Sequence, residues 1–483
     1  MRKLIVSPQY SNILDLSGKP LARGYEAASQ SKRLQGFDAS EVSPTEADAS
    51  DLAIMRNRAR GMVRNTAFAS RAIGTDTDNE IGTGIMPRSK APSADLRTAL
   101  NELWDDWANQ ADADGILCAY GLQYNASRAR KESGEVFIRI RPRRLSDGLI
   151  VPIQFQLIEA DFCPADLTEK RPNGNEIKSG IEFNAVGRRV AYWFFRQHPA
   201  DGGSRLDMVR VAADQIIHHF IPTRPGQIRG RPIGTSAFVK AHFYDKYDDA
   251  ELVRKETRAH FTGVIRRAEY EEDDYLYDPF TGKPIDGDGV GDLSVQPGMF
   301  PSLLPGEDVN LFNSDTATDD TFAHRQLLAI AAAYDVPYEQ MTGDFSKIND
   351  RVWRAIVNQY RRGVEVKQDL FVIQQVVRVM WAKFVDAAVL SGAVVISDFA
   401  DNQRQYHRAA YQTHAWPYVH PLQDLQALKL AKEEGFESRQ AIIARRGRTV
   451  EEVDQERKED QDREIELGIR RADQPLQPFI ETD

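Results

Sequence analysis

FAHRQLLAIAAAYDVPYEQMTGDFSKINDRVWRAIVNQYRR, residues 322–362, sets an alanine-rich helical run against a basic-aromatic helix with a short break between them. Val336-Pro337 forces that break, because the residue before a proline is pushed out of the α region and Pro337 has no N–H to donate. Gly343 supplies backbone freedom after it, and Asn349 or Asp350 can accept from the orphan N–H groups of the next helix. The pattern predicts a short loop held between two helices. Arg351, Arg354 and Arg361 or Arg362 are spaced to lie near one face, with Val352, Ile356 and Tyr360 on another. On spacing alone, the plain reading is a helical hairpin with a solvated basic face.

Downstream, Leu370, Ile373, Val377, Met380 and Phe384 keep the helical period, so the second helix is expected to run for about 35 residues, to Val389. Beyond Tyr418, DLQALKLAKEEG and ESRQAIIARRG read as short amphipathic helices, each stopped by a glycine. Residues 451–483 are charge-dense and read as helical in part and then disordered. Upstream, 267–313 is acidic with Gly and Pro every few residues, which implies an insertion without long elements. Before it, 236–266 has helical period, with Ser236 as the expected cap. Alternation dominates from Glu135 to Trp193, and Asn173-Gly174 marks a turn. Helical signal starts near Asp51, and a second helix carries Trp104 and Trp107 on one side. Residues 1–50 show little periodicity and read as a flexible arm. The expected fold class is α+β.

A chain of 483 residues with 41% hydrophobic side chains has room for two or three domains. The longest apolar stretch, near Val372–Val379, is interrupted by Gln374, Gln375 and Arg378, so no membrane span is expected. MRKLIVSPQY has too short an apolar segment for a signal peptide. Two cysteines, Cys118 and Cys163, make a disulfide framework or a cysteine metal site improbable and suit a reducing compartment. A formal charge of −10 argues against a surface that grips nucleic acid throughout, since such proteins gain by neutralising phosphates.

Catalytic signatures are missing. Asp286, Asp288 and Asp292 in DGDGVGD suggest a calcium loop, yet Val290 and Pro297 stand where ligands are needed. His218 and His219 are adjacent in a predicted strand and point to opposite faces, so they cannot share a metal. GTG at 82–84 lacks the third glycine of a dinucleotide site, no P-loop lysine motif occurs, and Ser133 has no nucleophile-elbow flank. The chain is read as a non-enzyme with no catalytic residue, cofactor or metal. A reading from another class is a metal-dependent nuclease using carboxylates of 267–292, which a turn-rich run would hold without rigidity.

YDVPYEQMTGDFSKIN, followed by a helix ending in RR, resembles the loop and helix of lambda-type bacteriophage portal proteins. RNRARGMVRNTAFASRAIGTDTDNEIGTGIMP (56–87), ESGEVFIRIRPR (132–143), RPGQIRGRPIGTSAF (224–238), LLPGEDVNLFN (303–313) and HPLQDLQALKLAKEEGFESRQAIIARRGRTVEEV (420–453) resemble further landmarks of that family in the expected order. INDRVWRA departs from the family's usual helix start, which bears on the DNA-facing side chains.

The resemblance implies a homo-oligomeric ring, a 12-mer by expectation, at one capsid vertex. Double-stranded DNA would enter and leave through it without sequence-specific contacts. Implied partners are the terminase large subunit, a head-tail connector or adaptor and the major capsid protein, with no membrane. Implied locations are the virion and, during assembly, the host cytoplasm. The division that follows is an arm (1–50), a wing and body of mixed helix and strand (51–235), a helical stem region (236–266), a clip insertion (267–313), a stem helix (314–335), a tunnel loop (336–350), a long helix (351–390), a helical crown (391–450) and a charged tail (451–483). The tunnel loop and following helix place Thr342, Lys347, Asn349, Arg351 and Arg354 as channel residues. The clip offers Tyr275, Tyr277, Phe280, Met299 and Phe300 as apolar anchors for a partner. A head-completion adaptor is the third reading, though such a chain is expected to be much shorter.

Overall fold

In a computed structural model of the chain, residues 41–49, 51–202, 207–260, 264–267, 307–310, 320–416, 421–446 and 448–468 are described. The first 40 residues of the arm, the clip anchors Tyr275, Tyr277, Phe280, Met299 and Phe300, the Asp286–Asp292 run and the tail beyond 468 lie outside them.

Short helix α1 (Pro44–Ala49) precedes α2 (Leu52–Asn65) and α3 (Ala67–Ile81). The expected arm therefore ends in an ordered turn: Asp48 is buried and pairs with Arg231 at 2.6 Å. Strand β1 (Met86–Ser89), helix α4 (Ala94–Ala108) and helix α5 (Ala119–Ser133) lead to β2 (Glu135–Pro142) and β3 (Ile153–Ile158). A hairpin series follows: β4 (Glu169–Lys170), β5 (Glu176–Lys178), β6 (Ile181–Phe183), β7 (Arg189–Phe195), β8 (Met208–Ala212) and β9 (Ile216–Phe220). Strands β4 to β8 form a five-stranded antiparallel meander, and β2 is central to a three-stranded sheet of order β3-β2-β9. Asn173-Gly174 makes the β4–β5 turn, as its sequence asks.

Helix α6 (Phe238–His260) starts from a 3-10 turn over Thr235–Ala237. Ser236 lies inside that turn and does not cap the helix. Strands β10 (Val264–Arg267) and β11 (Glu307–Asn310) pair antiparallel. Helices α7 (Asp320–Tyr334), α8 (Tyr338–Thr342) and α9 (Asp350–Lys367) follow, so the expected loop 336–350 contains a helical turn. A π-helical stretch, Gln368–Val377, joins α9 without interruption to α10 (Arg378–Ser391). At 1.5 Å per residue the continuous helix is about 60 Å long. Leu370 is exposed, whereas Ile373, Val377, Met380 and Phe384 are buried. After α11 (Phe399–Tyr406), β12 (Ala409–Gln412) pairs with β1, so 391–450 is not all helical. Helices α12 (Pro421–Glu433), α13 (Arg439–Ala444) and α14 (Val450–Glu466) complete the described chain. Among the described residues no helix is long and apolar enough to cross a membrane.

The largest core is aromatic. Trp104 and Trp107 of α4 meet Trp381 and Phe384 of α10 at ring separations of 4.9–5.5 Å, all fully buried. Trp107 Nε1 donates to the Ile153 carbonyl at 3.0 Å. One end of the long helix is thus fixed in the body, and the other carries the 336–350 loop. A second core joins α2, α3, α7 and α8 through Val63, Ile73, Leu327, Ile330, Tyr334 and Met341.

Candidate functional site

The loop is built from its ends inward. Tyr334 is buried, Asp335 adopts φ +55°, and Val336 is buried beneath the Pro337 turn that starts α8. Arg71 Nε donates to the Gln340 carbonyl at 2.9 Å, holding α8 to α3. Thr342 is half-buried, its hydroxyl donating to the Tyr338 carbonyl at 2.8 Å. Beyond Gly343, Ser346 donates through its N–H and hydroxyl to Asp344 Oδ1 at 3.0 and 2.6 Å, which lowers the Asp344 pKa. Phe345 packs edge-on against Trp353 at 5.0 Å, folding the loop back on the first turn of α9. Asn349 caps that helix, accepting from the Val352 N–H at 2.9 Å.

Behind the loop, charge fixes α9 to the body. Lys367 reaches Asp335 at 2.9 Å and Asp76 at 3.1 Å, and Tyr360 donates to Asp76 at 3.2 Å. Burial pulls the Lys367 pKa down, but the two carboxylates outweigh it and the net shift is upward. Burial, then Asp76, raises the Tyr360 pKa, so its hydroxyl stays a donor. Glu80, fully buried, accepts from Arg130 and Lys131 at 2.7 Å. Burial opposes its charge, yet the two cations hold its pKa well below the usual range.

A separate buried site organises the sheets. Glu135, at the start of β2, accepts from Arg56, from Arg229 Nε at 2.8 Å, from His218 Nε2 at 2.9 Å and from the Gly230 N–H at 2.9 Å. Gly134 and Gly230 permit this approach: a Cβ on Gly230 would stand 2.1 Å from the Gly134 carbonyl oxygen. Burial raises the Glu135 pKa, and Arg229 and Arg56 reverse it to well below the ordinary value. His218 is pushed down to about 4 and His219 to about 3, burial being the main cause in both. His219 turns the other way and bonds Gln375 at 2.8 Å, as alternation along a strand requires.

The five expected channel residues do not form one cluster. Lys347 and Arg351 face solvent, Asn349 is the cap and Thr342 closes α8. Arg354 pairs with Asp350 at 2.7 Å and lines a groove of about 870 Å³ with Arg361, Trp416, Arg445 and Arg446. The arginine row therefore divides between two directions. Sequence reading missed Asp335, Lys367, Arg71 and Phe345. Only Phe345 left a local signal, as an aromatic in a polar loop four residues before a capping asparagine.

Glu159, Asp161 and His198 form the metal-like cluster found among the described residues. Arg60 bridges both carboxylates, and His198 Nδ1 accepts from the Ala200 N–H at 3.2 Å, so the group is already an internal ion pair. The carboxylates of 267–292 lie outside the described residues.

Residues 30–368 match the family described as phage portal protein, lambda family, and the chain belongs to that family. Its role is that of a portal at the capsid vertex. It is 26% identical over 437 residues to a probable portal protein of Halomonas phage phiHAP-1, covering 86% of this chain and 81% of that one. It is 21% identical over 466 residues to the portal protein of Escherichia phage N15, covering 84% of each. A chain from the neck of a native gene transfer agent particle, computed with C12 symmetry, aligns at 14% identity and a TM-score of 0.46, over 81% of this chain and 91% of its own.

Proposed function

We propose that about twelve copies close into a ring at the capsid vertex, with the 336–350 loops lining its narrowest passage and double-stranded DNA sliding past them. The observation that carries this reading is the construction of the loop. Its two ends are fixed by Lys367, Arg71 and the Asn349 cap, while Lys347 at its tip is exposed. A flexible point charge on a rigid base suits transient phosphate contact. The 267–313 segment serves as the clip that docks the terminase large subunit and the head-tail connector through its tyrosines and phenylalanines. Assembly takes place in the host cytoplasm, and the finished protein resides in the virion. Nothing in this role asks the chain to hydrolyse a substrate.

Packaging yield in a complementation assay tests the reading. Lys347→Glu is expected to lower yield several-fold, more at low salt than at high, while Lys432→Glu in α12 leaves it unchanged. A variant lacking 270–300 is expected to form rings and lose capture of the terminase subunit in a pull-down. Equal yields for the two reversals, with rings in both, would remove Lys347 from the passage. Retained capture by the deletion would remove the clip assignment.

A further inference from the structure

Helix α6 has two apolar sides. Ala241 and Tyr244 pack into the core shared with α7. On the opposite side Val239, Phe243, Ala250 and Val253 recur at intervals of four, seven and three residues, the spacing of a two-helix seam in which exposed Lys246 takes the position between Phe243 and Ala250. That seam is open: Val239 is 68% exposed and Phe243 63%. Helix α9 has the matching arrangement. Val357, Tyr360 and Val364 are buried, whereas Val352, Ala355, Gly363 and Val366 occupy the solvent side.

Gly363 is the informative member of this stripe. Glycine inside a helix is destabilising relative to alanine. A Cβ at Gly363 would meet nothing within 4 Å among the described residues, so no contact there calls for its small size. A closely approaching second backbone would call for it. The charges beside the two stripes are complementary as well. Asp245, Asp249 and Glu256 follow one edge of the α6 stripe, and Arg351 and Arg362 one edge of the α9 stripe. Asp245 and Glu256 are eleven residues apart, as are Arg351 and Arg362, about 16 Å along each helix. All five are exposed, and none has an ion pair among the described residues.

We propose that the α6 stripe of one copy receives the α9 stripe of the next, with Gly363 at the closest approach and Arg351 and Arg362 along the Asp245–Glu256 edge. The inference rests on the ring reading and deepens it, because two different faces meeting head to tail generate a ring when the rotation closes. It assigns Arg351 to the subunit interface and leaves Lys347 to the passage.

Charge exchange on the full-length chain tests the pairing, with assembly read by mass photometry and negative-stain images. One variant carries Arg351→Glu and Arg362→Glu, the other Asp245→Lys, Asp249→Lys and Glu256→Lys. Each alone is expected to stay monomeric at concentrations about tenfold above those at which the unchanged chain assembles. Mixed one to one, they are expected to assemble again, since every contact then joins opposite charges. Gly363→Leu, accommodated within the single chain, is expected to block assembly while circular dichroism stays native. If the unchanged chain forms rings and both variants do the same, or if the mixture fails to recover assembly, this interface is overturned and the ring reading stands. If the unchanged chain stays monomeric, both fall. A two-fold dimer that the same reversals dissolve would overturn the ring and keep the pairing.

Discussion

The Glu135 site and the 336–350 loop both use charge to fix backbone, and they do so under opposite conditions. Glu135 is entirely buried, and each of its contacts arrives from a segment distant in sequence. The loop buries Val336 and Met341 at its start, is exposed over most of 343–350, and is tied at its ends by Lys367 behind it and the Asn349 cap ahead. A buried charge tolerates no missing partner, because the alternative is an uncompensated ion in low dielectric. The exposed Asn349 cap contributes less and can open. The difference teaches where this protein is rigid by necessity and where its rigidity is adjustable.

Glu135→Ala breaks the comparison most severely. It leaves Arg56 and Arg229 buried without their shared carboxylate, at an expected cost of about 3–5 kcal/mol in chemical denaturation. A loss below about 1 kcal/mol would mean that the carbonyls of Ser133, Ala160, Ser179 and Cys163, which also accept from these arginines, suffice to hold them.

Acid sharpens the same point. The folded chain keeps His218 and His219 neutral, with pKa values of about 4 and about 3. Unfolded histidines bind a proton below about pH 6.5, so folded stability is full above that value and falls as the pH drops toward 4. The expected loss is about 3 kcal/mol for each histidine over that window, and Glu135, whose pKa is depressed, adds to it below about pH 4.5. Melting temperatures between pH 7 and 5 check this. His219→Gln should remove a substantial part of the slope.

The smallest effect is expected at the loop. Asn349→Ala removes the cap of α9 and should cost about 1 kcal/mol. Faster amide exchange confined to the first turn of the helix is the readout, with the sheets unaffected. Exchange spreading into the Glu135 strands would show that the two regions are one cooperative unit.

Much of this loop was legible because its determinants are local. The Val336-Pro337 break, the Asn349 cap and the apolar period of the long helix each act within a few residues. The turn at Asn173-Gly174 and the shared side of Trp104 and Trp107 were readable for the same reason. The Glu135 site was not, since its partners lie 79, 83 and 94 residues away. Pairing of β12 with β1 was equally hidden, because no periodicity within 409–412 names a partner more than 300 residues earlier. The π-helical stretch left no mark in the apolar pattern beyond an exposed Leu370 where a buried one was expected. The division of the arginines depended on Trp416 and the C-terminal helices, which spacing on one helix does not locate.

Strands β10 and β11 have a consequence for descent. Their antiparallel pairing sets Arg267 opposite Glu307, so the two ends of the intervening segment stand about 5 Å apart. The 268–306 segment between them can grow, shrink or be exchanged at little cost in loop closure, provided that this doorway keeps its two posts. Selection is therefore free to rewrite that segment, while the sheets and the aromatic core inherit no mutation from the change.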